Sequence, residues 1–176
     1  MSKLPSFNHS KIGLIGNHSK IGLIGEDLVT QWLKSNGWQI LHRRFSCPWG
    51  EVDIIAEYDN KTLRPTSVNC KTSILAFVEV KTRSAGNWDT GGKDSVTMNK
   101  QRKILIAAEM FLANHPDKAE YSCRFDVASV FYKKSISKKQ VIQSKALASL
   151  YAQEYEFILL DYIESAFDIS ARLSSI

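Results

Sequence analysis

The chain reads as an α/β domain in which a helix, three antiparallel strands, a second helix and a further strand build a mixed central sheet flanked by helices. Three observations predict this order. Ile74-Leu75-Ala76-Phe77-Val78 is a continuous apolar run, the signature of a strand covered on both faces. Ile104, Ala107, Ala108, Phe111 and Leu112 follow the i, i+3, i+4, i+7, i+8 template of an amphipathic helix. Ahead of both, two short strand-like stretches are split by the turn-formers of Cys47-Pro48-Trp49-Gly50.

Taken in order, Asn8–Gly16 (NHSKIGLIG) recurs identically as Asn17–Gly25. A repeat seen twice is no solenoid, and its glycines fit neither dinucleotide nor phosphate-loop spacing, so it reads as a local duplication. From about Lys20 to Ser35, Ile21, Ile24, Leu28 and Trp32 lie on one helical stripe, and Asn36-Gly37 supplies the stop. Trp38 to Phe45 and Glu51 to Tyr58 are the first two strands, and about Ile74 to Thr82 the third. The glycine-containing segment from Ser84 to Asp94 is a loop. The second helix follows, capped by Ser95 or Thr97 and ended by Asn114-His115-Pro116. Arg124 to Tyr132 is the fourth strand; Ala146 to Tyr151 is weakly helical, and Phe157 to Ile163 fits strand or helix. Short connections predict antiparallel pairing of the first three strands, and the helix before the fourth predicts a parallel crossover. The organisation is therefore an extension over 1–19, a core over 20–132, an insertion over 133–156 and a C-terminal element over 157–176 that packs on the core.

With 176 residues, 44% of them apolar, the chain suits one globular domain. The balance of 23 Lys+Arg against 18 Asp+Glu gives a net charge of +5, which permits an anionic partner without demanding one. The basic residues are grouped, as in His42-Arg43-Arg44, Lys81 with Arg83, and Lys100-Gln101-Arg102-Lys103. On one face such groups mark a phosphate-backbone binder; dispersed, they are solvated surface. Cys47, Cys70 and Cys123 are widely spaced and odd in number, which argues against a disulfide framework and a zinc site. No apolar run reaches membrane-spanning length and no signal-peptide pattern is present, so a reduced, cytoplasmic protein with no membrane partner is expected.

The chemistry lies where charges interrupt buried strands. Glu79 and Lys81 end the apolar third strand, and period-two alternation points both the same way. Asp53 sits in the second strand. Buried charges demand a counter-charge, hydrogen bonds or a metal. Asp53 and Glu79 are candidate ligands of a hard divalent ion, Mg²⁺ or Mn²⁺, and Lys81 is placed to orient or deprotonate an attacking water. The alternative for the same residues is a structural ion pair. Glu51 shares the Asp53 face of a regular strand, as a supporting group or as the solvated strand entry. Glu26, early in the first helix, is a third carboxylate or a partner of the helix N-terminus. Lys100 reaches a phosphate or snorkels beside the buried stripe. Arg83 and Arg44, from the basic groups, are further candidates for contacting substrate.

Two blocks carry a resemblance. Gly50-Glu51-Val52-Asp53-Ile54-Ile55-Ala56 and Phe77-Val78-Glu79-Val80-Lys81-Thr82-Arg83 resemble the GEIDLIA and FVEVKTR motifs of the YraN-like family of uncharacterised bacterial proteins. The likeness continues through Gly25-Glu26-Asp27, Lys100, Ala107-Ala108, Arg124-Phe125-Asp126-Val127 and Ala166-Phe167. That family resembles PD-(D/E)xK nucleases of the restriction-endonuclease-like fold, Holliday-junction resolvases among them. The resemblance implies a nuclease core, catalytic roles for Asp53, Glu79 and Lys81, and a metal-binding contribution from Glu26. It implies DNA as partner, branched or structured forms included, and allows a homodimer. Val52 departs from the superfamily pattern, standing where its name places proline.

The leading expectation is thus a metal-dependent endonuclease acting on DNA. A nucleic-acid-binding protein that keeps a nuclease-like scaffold without turnover is the alternative, and an adaptor with a purely structural charge cluster a third. Fold alone does not choose among them.

Overall fold

The structure is a computed structural model that describes residues 17–59, 73–84, 96–135 and 146–168. Helix α1 spans Asn17–Ser35, followed by strands β1 (Gln39–Cys47), β2 (Gly50–Tyr58) and β3 (Ile74–Ser84). Helix α2 (Met98–Ala113) and a 3₁₀ turn at Pro116–Lys118 lead into β4 (Ser122–Lys134), β5 (Ala148–Ala152) and β6 (Tyr155–Phe167). The strands form one six-stranded sheet in the order β1-β2-β3-β4-β6-β5. Pairing is antiparallel except between β3 and β4, which run parallel on either side of the α2 crossover. Helix, three antiparallel strands, helix and strand therefore stand as expected of a restriction-endonuclease-like core.

Each face of the sheet carries its own core. Ile24, Leu28, Val29 and Leu33 of α1 pack on Ile54, Ala56, Ala76, Val78, Ala128 and Val130. On the other face Ile104, Ala107, Ala108 and Phe111 of α2 pack on Ile55, Leu75, Phe77, Phe125 and Val127. The apolar run of β3 divides between the two, with Leu75 and Phe77 facing α2 and Ala76 and Val78 facing α1. Helix α1 ends where Gly37 takes a φ of 85°. The Gly37 amide then bonds Lys34 O at 3.1 Å and the Trp38 amide bonds Leu33 O at 3.1 Å, a Schellman closure. Thr97 caps α2 through the amide of Lys100 at 3.4 Å.

Three readings are corrected. The first helix begins at Asn17 rather than near Lys20, because the second copy of the nonapeptide is helical and Ile21 and Ile24 pack on the sheet. The segment read as weakly helical is instead the edge strand β5, in which Leu150 pairs with Phe157 of β6 and packs in the α1-side core. Strand β4 runs from Ser122 to Lys134, beyond the Arg124 and Tyr132 read as its ends. The ambiguous last element is the strand β6. The first nonapeptide copy, most of the Ser84–Asp94 loop, Cys70 and residues 136–145 lie outside the described residues. Among the described residues no helix is long and apolar enough to cross a membrane.

Candidate active site

The β2–β3 ladder runs from Tyr58 opposite Ile74 to Ile54 opposite Val78 and stops there. Strand β3 continues alongside β4 to Ser84. The two strands thus part just where Asp53 and Glu79 occur. In place of a ladder partner, the Val80 amide donates to Asp53 Oδ2 at 2.7 Å.

Asp53 and Glu79 line one cavity of about 730 Å³ with Glu26, Glu51, Lys81, Arg83 and Lys100. The cavity brings together every candidate except Arg44. Glu79 is only 3% exposed, and Lys81 Nζ donates to its Oε1 at 2.6 Å, as the shared strand face predicts. Glu79 Oε2 is buried and accepts no hydrogen bond; Lys100 Nζ stands 3.2 Å away as an ion-pair partner. Lys100 also donates to Glu51 Oε1 at 2.9 Å, so one ammonium from the first turn of α2 bridges carboxylates of β2 and β3.

Burial, then the charge of Glu79, push the Asp53 carboxyl up to about 7, against the lowering effect of the Val80 amide and Lys100. Burial opposes the charge on Lys100, but its bond to Glu51 and the fields of Glu79 and Asp53 outweigh that and raise its pKa. Glu51 moves down, chiefly through its hydrogen bond from Lys100. Its side chain is exposed and is held by Lys100 on the cavity wall.

Two glycines bring the helices close enough. A Cβ on Gly25 would lie 2.0 Å from Thr82 Oγ1, and one on Gly50 would lie 1.9 Å from the carbonyl oxygen of Lys103. The first approach sets Glu26 of α1 beside β3; the second docks the β1–β2 turn on α2, beside Lys100.

Asp53 and Glu79 fit a hard divalent ion. Glu79 Oε2 is buried with only the Lys100 ammonium beside it, and burial, then the Glu79 charge, drive Asp53 toward protonation, a conflict a dication relieves. Glu26 does not join them as a third member, since among the described residues no group of three His, Cys, Asp or Glu side chains is placed to hold a metal. It faces Arg43 at 3.6 Å and Arg44 at 4.0 Å instead. Burial raises the Glu26 pKa, with the two arginines pulling against it. Arg44 faces the cavity-lining Glu26 without itself lining the cavity.

The sequence reading missed Ile21, Gly22, Thr82, Ser84 and Tyr132, which also line the cavity. Ser84 lies on the same strand as Lys81, beyond the predicted strand end at Thr82, and Tyr132 is its β4 partner. It also missed a buried network away from the cavity. Asp126, fully buried on β4, accepts from Arg124 Nε at 3.0 Å, Tyr162 Oη at 2.7 Å and the Ser165 amide at 3.0 Å. The Arg124-x-Asp126 spacing is the same strand-face signal as Glu79-x-Lys81.

Comparison with known proteins identifies a family. The family model described as "Uncharacterised protein family UPF0102" matches residues 25–130. A UPF0102 protein of Trichormus variabilis is 53% identical over 146 residues, covering 81% of this chain and 91% of its own length. One from a Nostoc species is 54% identical over 143 residues, covering 81% and 90%. One from Trichodesmium erythraeum is 47% identical over 156 residues, covering 82% and 86%. With a matched span that takes in both diverging strands, α2 and most of β4, the chain belongs to the uncharacterised protein family UPF0102.

Proposed function

We propose that the protein is a divalent-metal-dependent nuclease that hydrolyses phosphodiester bonds in DNA, branched or structured DNA among its substrates. The observation that carries this reading is the convergence of Asp53, Glu79, Lys81 and Lys100 on one cavity at the point where β2 and β3 part. Mg²⁺ or Mn²⁺ held by Asp53 and Glu79 would supply a nucleophilic water and neutralise phosphoryl oxygens. Mg²⁺ commonly needs only one or two protein carboxylates, keeping waters and substrate phosphate as its other ligands, so Glu26 is not required.

The chain's own residues have separable tasks. Lys81, held by Glu79 Oε1, presents its ammonium beside the reacting centre to orient the attacking water and balance developing negative charge. Lys100 exchanges Glu79 for a substrate phosphate while Glu51 keeps its chain in place. Arg83, on the cavity wall, contacts the phosphate backbone.

The test is a cleavage panel of duplex, single-stranded and branched DNA with Mg²⁺ or Mn²⁺. Asp53→Asn and Glu79→Gln are expected to lower the rate at least about 100-fold, the scale of a lost electrostatic contribution. Cleavage that survives both Asp53→Asn and Lys81→Ala would assign the activity to a contaminant and remove the proposal.

One observation favours the binding-protein alternative. Glu79 already has two ammonium neighbours, Lys81 and Lys100, which neutralise it without a metal. A scaffold of that kind binds nucleic acid with steep salt dependence and shows no Mn²⁺ titration in calorimetry, which separates the two readings.

A further inference from the structure

Among the described residues, the large apolar side chains most exposed are Met98, at 65%, and Trp49, at 62%. Neither is placed at random. Trp49 stands two residues before Glu51 and Met98 two before Lys100, and those two are joined at 2.9 Å on the cavity wall. The turn bearing Trp49 is seated against α2, with the backbone of Gly50 so near Lys103 that no Cβ fits between them. An exposed tryptophan on a docked turn forfeits little conformational freedom when a planar partner covers it. Arg102 and Lys103, both exposed on the adjoining turn of α2, add positive charge beside it.

An exposed aromatic face with cations alongside, two residues from the cavity-lining Glu51, matches a nucleic-acid base whose neighbour has left the stack. A base inside an intact duplex presents no free face to it. We infer that Trp49 is a stacking platform for an unpaired nucleotide next to the scissile phosphate, and that the substrate is DNA carrying a gap, bulge, flap or junction there. This deepens the nuclease reading and rests on it for the phosphate, but the stacking itself needs no metal and no turnover.

The test uses the full chain in metal-free buffer at fixed low salt. Fluorescence anisotropy compares an intact duplex with the same duplex carrying one unpaired 2-aminopurine. The wild type is expected to prefer the interrupted duplex and to quench the 2-aminopurine. Trp49→Ala should weaken binding to the interrupted duplex about tenfold, the size of one base–aromatic stack, and abolish the quenching. Trp49→Phe should retain most of both, and binding to intact duplex should change less than twofold in either variant. Equal binding of the two duplexes by the wild type, or quenching that persists in Trp49→Ala, overturns the inference. Loss of cleavage in the substrate panel with the stacking signal intact would remove the nuclease reading and leave the platform. Cleavage of intact duplex that Trp49→Ala leaves unchanged would do the reverse.

Discussion

Asp53 accepts the backbone amide of Val80 at 2.7 Å just beyond the last Cα pair of the β2–β3 ladder. One side chain therefore substitutes for the missing strand partner and faces Glu79. Burial, then the charge of Glu79, outweigh the lowering effect of that amide and move the carboxyl from 3.8 to about 7.

The displacement has a stability signature with a definite sign. The folded state holds the Asp53 proton to higher pH than the unfolded chain, so stability falls as pH rises from about 4 to about 7 and is flat above. Asp53→Asn, which can still accept the Val80 amide, should match wild type in thermal melts near pH 4. At pH 8 it should exceed wild type by about 1–3 kcal/mol, allowing for partial solvent screening.

Metal binding should offset that advantage. Mn²⁺ at about 100 times its Kd should stabilise wild type by about 2.7 kcal/mol at pH 8 and leave Asp53→Asn and Glu79→Gln unmoved in the same melts. Affinity measured by calorimetry should weaken as pH drops below 7, because the ion competes with the Asp53 proton. A flat pH dependence would remove Asp53 from the ligand set.

The two close glycine approaches should differ in tolerance. Gly50→Ala meets a backbone carbonyl, which cannot turn aside, and should cost more than about 3 kcal/mol or prevent folding. Gly25→Ala meets first the Thr82 hydroxyl and should cost about 1–3 kcal/mol. Thr82→Ala should recover part of the Gly25→Ala loss in a double-mutant cycle on denaturant midpoints.

Cutting into the Asp126 network should affect stability and spare the site. Asp126→Ala leaves Arg124 and Tyr162 without their buried acceptor, an expected loss of about 3–5 kcal/mol in chemical denaturation. Mn²⁺ affinity of the remaining folded protein should be unchanged, as Asp126 does not line the cavity.

The basic residues should separate by what they face. Lys100→Ala and Arg83→Ala should each reduce the salt slope of DNA binding by about one. Arg44→Ala should change it less, its charge being directed to Glu26.

Much of this was legible in the chain. Glu79 and Lys81 share a strand face by alternation alone, and Asp53 stands out as a charge within an apolar strand. The α2 stripe and the Asn36-Gly37 stop were readable for the same local reason. Strand β5 was not: five residues with one buried position, Leu150, carry too little periodicity to separate edge strand from helix. The partners of Glu26 were hidden as well, since nothing local couples it to Arg43 and Arg44 on another element.

By itself the sequence determined the order of elements and the identity of the charged residues placed among apolar ones, because backbone periods of 2 and 3.6 act over a few neighbours. The tertiary structure alone decided where the ladder ends, which ammonium bridges Glu51 to Glu79, and that Arg43 and Arg44 claim Glu26. Those are Coulomb and hydrogen-bond choices among groups such as Glu51 and Lys100, 49 positions apart, and they exist only once the chain has closed that distance.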